Sequence, residues 1–386
     1  MSSIHLVPSA TEVRDRARAL AEQLPARSAE IEAARRLPPV LLDQLVAAGC
    51  FRILLPRSHA GSEATLAEAM ALYEDLAAAD PATGWTVMIG ATGWCDLAGL
   101  PRASFDALFA PPAEPITAGA FAPTGTISPI DGGYELTGRW GFASGCEHAT
   151  HFFANAIEGF ENGQPRMRMA VLDPDAVTIE DTWDAIGLCG SGSHHFSANG
   201  AIVRPERTFV PLSEQSCVDT PIVRIPTPAV FALAIASVAI GAARGALSTV
   251  VELAQGKVPL LAPAPLATDP LFHHDLARAD IGLTAARTLV FEIADRLWAR
   301  AALGAAAELE ERARARAAAA WATDAAVAAT EFAYRAGGGS AVYHENPLQR
   351  RVRDVHAITQ HFLVRPNTFV AAGGILAGQG LSVPVF

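Results

Sequence analysis

Residues from about 114 to 212 differ in texture from everything on either side, and that change limits the folds open to the chain. Within this stretch Gly, Pro, Thr and β-branched residues rise, and Met167-Arg168-Met169-Ala170-Val171 alternates as a strand should. Asp131-Gly132-Gly133 reads as a hairpin-like turn before a strand beginning near Tyr134, and Asp173-Pro174-Asp175 as another turn. The flanks read as helical. Leu20, Leu24 and Ile31 recur near helical spacing, and Leu41, Leu42, Leu45 and Val46 form a second stripe beyond the Pro38-Pro39 break. Thr65 to Ala79 reads as a third helix, and Asp80-Pro81 as the cap and first residue of the next. After Pro228 come long Ala-rich helices, Leu276 to Trp298 and Ala305 to Ala336, then a last one over roughly Pro347 to Leu363. Expected units are therefore an N-terminal α-helical domain over 1–113, a central β domain over 114–213 and a C-terminal helical domain over 214–386.

Composition narrows the function classes. The chain has 386 residues, 51% of them hydrophobic, which is ample for a large core. Net charge is −11 with no basic run, so nucleic acid is not an expected partner. Five cysteines, Cys50, Cys95, Cys146, Cys189 and Cys217, are scattered without CxxC spacing, which fits a reducing compartment and no disulfide framework. No charged segment followed by an apolar run opens the chain, and the apolar run Ala229 to Ala243 is short for a bilayer; a cytoplasmic protein without a membrane span is the expectation.

Several chemistries lack their residues. No GxGxxG follows a strand and opens a helix, and no Walker loop occurs. The pairs His194-His195 and His273-His274 cannot each point at one ion in regular structure, and His356 and His361 face different ways on a helix, so no metal site is expected.

What remains is a set of short motifs. Trp140-Gly141-Phe142-Ala143-Ser144-Gly145-Cys146 ends a strand in a small-residue loop whose backbone N–H groups stay open, with flat apolar surface from Trp140 and Phe142. A flat, polar-edged ring such as an isoalloxazine would suit it; a plain strand-to-loop turn over a buried Trp is the ordinary alternative. Asp80-Pro81-Ala82-Thr83-Gly84-Trp85 lies upstream. Asp181 to Leu188, Gly190-Ser191-Gly192-Ser193, Gly337-Gly338-Gly339-Ser340, Asn346 to Arg351 and Asp354 to His361 lie downstream. In this order and spacing, from about residue 12 to 380, the chain resembles the flavin-dependent monooxygenases that share the acyl-CoA dehydrogenase fold, the oxygenase components of two-component hydroxylases.

The resemblance implies an α+β fold: an N-terminal helical domain, a small central β-barrel and a C-terminal four-helix bundle. It implies reduced FAD or FMN from a separate NAD(P)H-dependent reductase, O2, a small-molecule substrate, a flavin hydroperoxide and a homotetramer. His361 matches a histidine that acts near flavin and substrate as base or hydrogen-bond donor, although a helix histidine settled near a C-terminus explains it as well. Ser144 matches a loop serine at the flavin's reactive edge, with a self-bonded turn serine as the alternative. Trp140, Phe142, Ala143 and Ser193 would line the ring, and Trp85 and Thr92 would face the substrate. Gly338, Gly339 and Ser340 match a segment that approaches the cofactor's phosphate or adenosine, usually from a neighbouring subunit; a helix C-cap would account for them too. Lys257, the sole lysine, lies where relatives often hold a phosphate-contacting cation, though a solvated lysine is the commoner case.

Departures bear on the substrate. Thr92 stands where phenol hydroxylases of the family often carry histidine, Cys189 where an arginine is common, and His59-Ala60-Gly61 where an aromatic-Gly-Gly turn is frequent. A substrate other than a simple phenol is expected: an electron-rich aromatic, heteroaromatic, nitrogen or sulfur centre. The competing reading is an acyl-CoA dehydrogenase-like desaturase, whose carboxylate base would fall on Glu345, one residue out of register and followed by Asn-Pro. A non-catalytic scaffold is the third.

Overall fold

Side-chain caps start several of the N-terminal helices. The structure, a computed structural model, describes residues 7–213 and 215–379; the outer ends of the first and third expected units, and residue 214 where the third begins, lie outside the described residues. Ser9 and Glu12 form a capping box that opens α1 (Ala10–Ala21), and Thr65 and Glu68 another that opens α4 (Leu66–Ala79). Between them lie α2 (Leu24–Ala34) and α3 (Pro39–Ala48). Asp80 accepts from the Thr83 N–H at 2.8 Å and Pro81 is the first residue of α5 (Pro81–Thr92). Short helices α6 (Trp94–Leu97) and α7 (Arg102–Phe109) complete this part.

Among the described residues seven strands follow: β1 (Thr117–Ile130), β2 (Gly133–Trp140), β3 (His151–Glu161), β4 (Gln164–Leu172), β5 (Thr178–Glu180), β6 (His195–Val203) and β7 (Thr208–Phe209). Their order is β5-β6-β2-β1-β3-β4-β7, with β1 and β3 parallel and the other pairs antiparallel. The expected barrel is thus not formed: β5 and β7 are edges of an open mixed sheet. Two- and three-residue outer strands cannot carry the ladder needed to meet and close it.

The chain then returns to helices α8 (Pro221–Arg224), α9 (Thr227–Gly256), α10 (Pro270–Ala302), α11 (Leu309–Gly337), α12 (Pro347–Thr359) and α13 (Asn367–Leu376). Helix α9 is long and apolar enough to cross a membrane, yet 94% of that window is buried inside the protein, where α4, α11 and α12 cover it. Its fit against α4 depends on Gly245, where an added Cβ would lie 2.1 Å from the Ala78 carbonyl oxygen. The buried Arg351 guanidinium joins the three helices, donating to the Ala78 oxygen at 2.8 Å and to the Ala242 oxygen at 3.4 Å. It satisfies carbonyls at the end of α4 that have no helical partner. This junction fixes α12 against the first helical region, and so sets where residues 354–365 can reach.

Candidate active site

Helices from both ends of the chain and the sheet between them enclose one largely apolar cavity of about 550 Å³. This is within the range of small-molecule and cofactor sites, roughly 300–1,000 Å³. Helix α5 contributes Trp85 and Ile89, one turn apart on one face; β1 contributes Gly119 to Ala122; and α9 contributes Thr227, Pro228 and Phe231 from its first turns. The loop after β2 supplies Gly141, Phe142 and Ser144, and the segment before β6 supplies Trp183, Leu188 and Ser193. The end of α12 closes the far wall with Ala357, Gln360, His361, Phe362, Leu363 and Arg365.

One side of the cavity carries a hydroxyl chain. The Trp85 Nε1–H donates to Ser144 Oγ at 2.9 Å, Ser144 Oγ lies 2.7 Å from Ser193 Oγ, and Ser193 Oγ lies 2.7 Å from Ser191 Oγ. Three hydroxyls bring three hydrogens, and the two bonds among them use two. Ser191 does not line the cavity, so a spare hydrogen there would have no acceptor. The spare hydrogen therefore belongs to Ser144 or Ser193, both of which do, and the cluster presents one O–H donor inward.

Across the cavity His361 packs edge-on to Trp85, with ring centroids 5.8 Å apart. Its Nδ1 accepts from the Leu363 N–H at 3.3 Å. Burial, and then the positive charges of Arg365 and Arg316, push its pKa down to about 4. The imidazole is thus neutral near pH 7, and the bond to Nδ1 leaves its proton on Nε2. His361 is a hydrogen-bond donor and a poor base.

The segment carrying Trp183, Leu188 and the serines is held from two directions. The buried Asp354 carboxylate accepts from the Leu188 N–H at 2.6 Å, and Arg353 donates to the Ile186 oxygen at 2.7 Å. Glu32 on α2 pairs with Arg350 and Arg353 at 2.5 and 2.6 Å. Gly187 is required here, because a Cβ would lie 2.1 Å from the Arg353 oxygen. Burial pushes the Asp354 pKa up to about 7 against the pull of the Leu188 N–H.

Seven of the expected site residues lie outside the cavity: Trp140, Ala143, Thr92, Lys257, Gly338, Gly339 and Ser340. Trp140 is fully buried beneath the sheet, stacked on Phe196 at 5.1 Å, and donates Nε1–H to the Asn155 oxygen at 2.7 Å. Phe142, two residues on, points out instead because its φ of 63° turns the chain where β2 ends. Ala143 is fully buried in the sheet's own core, with its N–H on the His194 oxygen at 3.0 Å. Thr92 continues the Trp85–Ile89 face one turn beyond the cavity, where its Oγ1 lies 3.2 Å from the Tyr73 hydroxyl. Gly338, Gly339, Ser340 and Lys257 come together away from the cavity. The Lys257 ammonium donates to the Gly337 oxygen at 2.7 Å and to Ser340 Oγ at 3.1 Å, closing the C-terminus of α11.

Arg365 and Thr227 also line the cavity, and neither belongs to a motif legible in the sequence. Among the described residues no group of His, Cys, Asp and Glu could hold a metal ion. Among the described residues no Asp or Glu lines the cavity, and Glu345, where a dehydrogenase's carboxylate was expected, is exposed outside it.

Comparison with known proteins agrees with this geometry. Residues 8–98 match the acyl-CoA dehydrogenase N-terminal domain and residues 233–366 the acyl-CoA dehydrogenase C-terminal domain. The chain is 30% identical over 365 residues to the flavin-dependent monooxygenase oxygenase subunit HsaA of Mycobacterium tuberculosis, covering 91% of this chain and 88% of that one. It is 28% identical over 354 residues to the indole-3-acetate monooxygenase of Pseudomonas putida, covering 92% and 90%. The solved structure of XiaF from Streptomyces sp. with FADH2 and glycerol superposes with a TM-score of 0.92 at 25% identity, covering 98% of each chain. The chain belongs to the flavin-dependent monooxygenases of the acyl-CoA dehydrogenase fold.

Proposed function

We propose that the cavity holds the flavin ring against the Phe142–Ser144 loop and Ser193, with a flat heteroaromatic substrate of the indole class beside it between Trp85 and His361. The observation that carries this is the pairing of one inward O–H donor, from the Ser144–Ser193 cluster, with a neutral imidazole donor across an apolar space. The residues fit such a ring: small side chains at Gly141 and Ser144 admit a flat ligand, and the hydroxyls match its polar edge. When bound, the reduced flavin supplies the electrons that activate O2 for insertion of one oxygen atom into the substrate.

The chain's own residues do the rest. Ser144, fixed by the Trp85 indole, directs its hydrogen toward the reactive edge. His361 donates from Nε2 to the substrate or to the departing oxygen and orients the ring. Aromatic walls from Phe121, Phe153, Trp183 and Phe231 keep water out, which matters because activated oxygen otherwise escapes as peroxide. The exposed Gly338–Ser340 segment, with Lys257, serves the phosphate or adenosine part of the cofactor in a neighbouring subunit of a homotetramer. The three domains divide the labour accordingly, with the boundaries expected from sequence.

The test is rapid mixing of anaerobic protein and reduced FAD or FMN with oxygenated buffer. A resolved spectral phase between reduced and oxidised flavin, lost in Ser144→Ala, is expected. Single-phase oxidation that is identical in wild type and variant would sink the assignment.

A further inference from the structure

Among the described side chains lining the cavity, Arg365 alone is charged, since His361 is neutral and no described acid is present. Its Nε donates to the Gln360 oxygen at 3.1 Å, which braces the guanidinium against the end of α12. No described carboxylate pairs with it, so its two Nη groups keep their donors in a planar fork that matches an oxyanion. Its charge reaches His361, whose pKa it helps to lower, so rim cation and imidazole belong to one wall. The net charge of −11 gives no long-range attraction for anions. Any preference for one must come from a local group such as this.

We propose that Arg365 selects an anionic aromatic substrate, pairing with a carboxylate carried on a short arm while the uncharged ring lies in the apolar interior. This rests on the cavity being the substrate site. The chemistry recognised is an oxyanion, and the phosphate of the flavin offers the same chemistry, so the test separates the two sources.

The experiment is calorimetric binding to the anaerobic protein loaded with reduced flavin. Probes are indole-3-acetate against 3-methylindole and phenylacetate against toluene, for wild type, Arg365→Gln and Arg365→Lys. Arg365 is exposed and unpaired, so neither variant should disturb folding, which thermal melting checks. Wild type should prefer the acids by about 10- to 100-fold, the size of a charge-assisted pair. Arg365→Gln should erase that preference without changing the neutral ligands, and Arg365→Lys should retain part of it. An unchanged preference in Arg365→Gln, or no binding of either acid by flavin-loaded wild type, overturns the assignment while leaving the flavin site intact. A variant that weakens FMN but not riboflavin moves Arg365 to the cofactor phosphate and also overturns it. Failure of wild type to hold reduced flavin would instead remove the underlying reading.

Discussion

The cavity wall at Ser144 and the patch at Lys257 were both expected to meet the cofactor, and they are built in opposite ways. Ser144, Ser193, Trp85 and His361 come from four distant stretches of chain and are held by partners that leave two donors free, one hydroxyl and the His361 Nε2–H. Lys257, Gly337 and Ser340 are mutually satisfied: the ammonium closes a helix end on the buried Gly337 oxygen, beside the exposed Gly338–Ser340 segment. A cluster that keeps an unspent donor inside an enclosed space is arranged for a ligand. A cluster that spends its donors on itself stabilises first, and acts on a cofactor only when another chain brings one. Variants on the two sides should therefore separate chemistry from stability.

The largest effect is expected at Ser144. Ser144→Ala removes the hydroxyl proposed to face the reactive edge, leaving any spare hydrogen on Ser193, and deprives the Trp85 indole N–H of its acceptor. Product formed per flavin oxidised should fall by roughly 100-fold, as for loss of one preorganised donor, with the balance appearing as H2O2. Unchanged coupling would place the working donor elsewhere. At His361 the effect should be smaller, about 10- to 100-fold in kcat for His361→Phe. His361→Gln should restore part of it, since an amide also donates. Because burial holds this imidazole neutral down to about pH 4, the rate profile should show no limb near pH 6.5. A limb there that disappears in His361→Gln would show a titrating base and break the comparison at its central residue.

Asp354 links the two kinds of site, because it is a structural acceptor that positions a functional segment. Asp354→Ala leaves the Leu188 N–H buried and unpaired, at about 1–3 kcal/mol in unfolding free energy. The Trp183–Ser193 segment should loosen with it, weakening flavin binding; unaltered flavin affinity would show that Leu188 is held by other means. Asp354→Asn keeps an acceptor and separates geometry from charge. A carboxyl whose folded pKa is raised from 3.8 to about 7 binds more protons folded than unfolded between those values. Its contribution to stability is thus present at low pH and lost as pH rises toward 7. The depressed histidine works the other way, its contribution being lost as pH falls from 6.5 toward 4. Asp354→Asn should flatten the decline toward neutral pH, as chemical denaturation across pH 5 to 8 would reveal.

Local chemistry was the readable part of this molecule. Capping residues at Thr65 and Asp80 announce helices α4 and α5, and Asp131-Gly132 announces the β1–β2 turn, because each acts within four residues. The edges of the sheet were not readable, since closure depends on strand length and on pairing between distant segments. The site was readable as motifs and not as orientation. Trp140 and Phe142 look equivalent in a strand of period two, but the strand ends at Trp140 and the positive φ at Phe142 sends the second ring the other way. Gly125 and Gly138 could have warned of this. Each lacks the Cβ that would strike the Trp140 indole, at 2.3 and 2.7 Å, so the space beneath the sheet was reserved for it. Arg365 carried no motif, and its meaning comes from the apolar lining around it.

The smallest effect should be at Lys257. Lys257→Met keeps most of the side-chain length and removes the charge from the C-terminus of α11, where a cation contributes about 0.3–1 kcal/mol. That contribution is small against the whole fold, so the melting temperature should move by only a few degrees. If Gly338–Ser340 serves a neighbour's cofactor, the variant should also weaken reduced FAD several-fold while leaving product formed per flavin oxidised unchanged, because the Ser144 cluster is untouched. A change in coupling would mean that the Lys257 patch and the cavity act as one site, and that the contrast between an unspent and a self-satisfied cluster does not describe how this chain divides its work. A shift in stability alone, with flavin affinity intact, would confine Lys257 to its helix end.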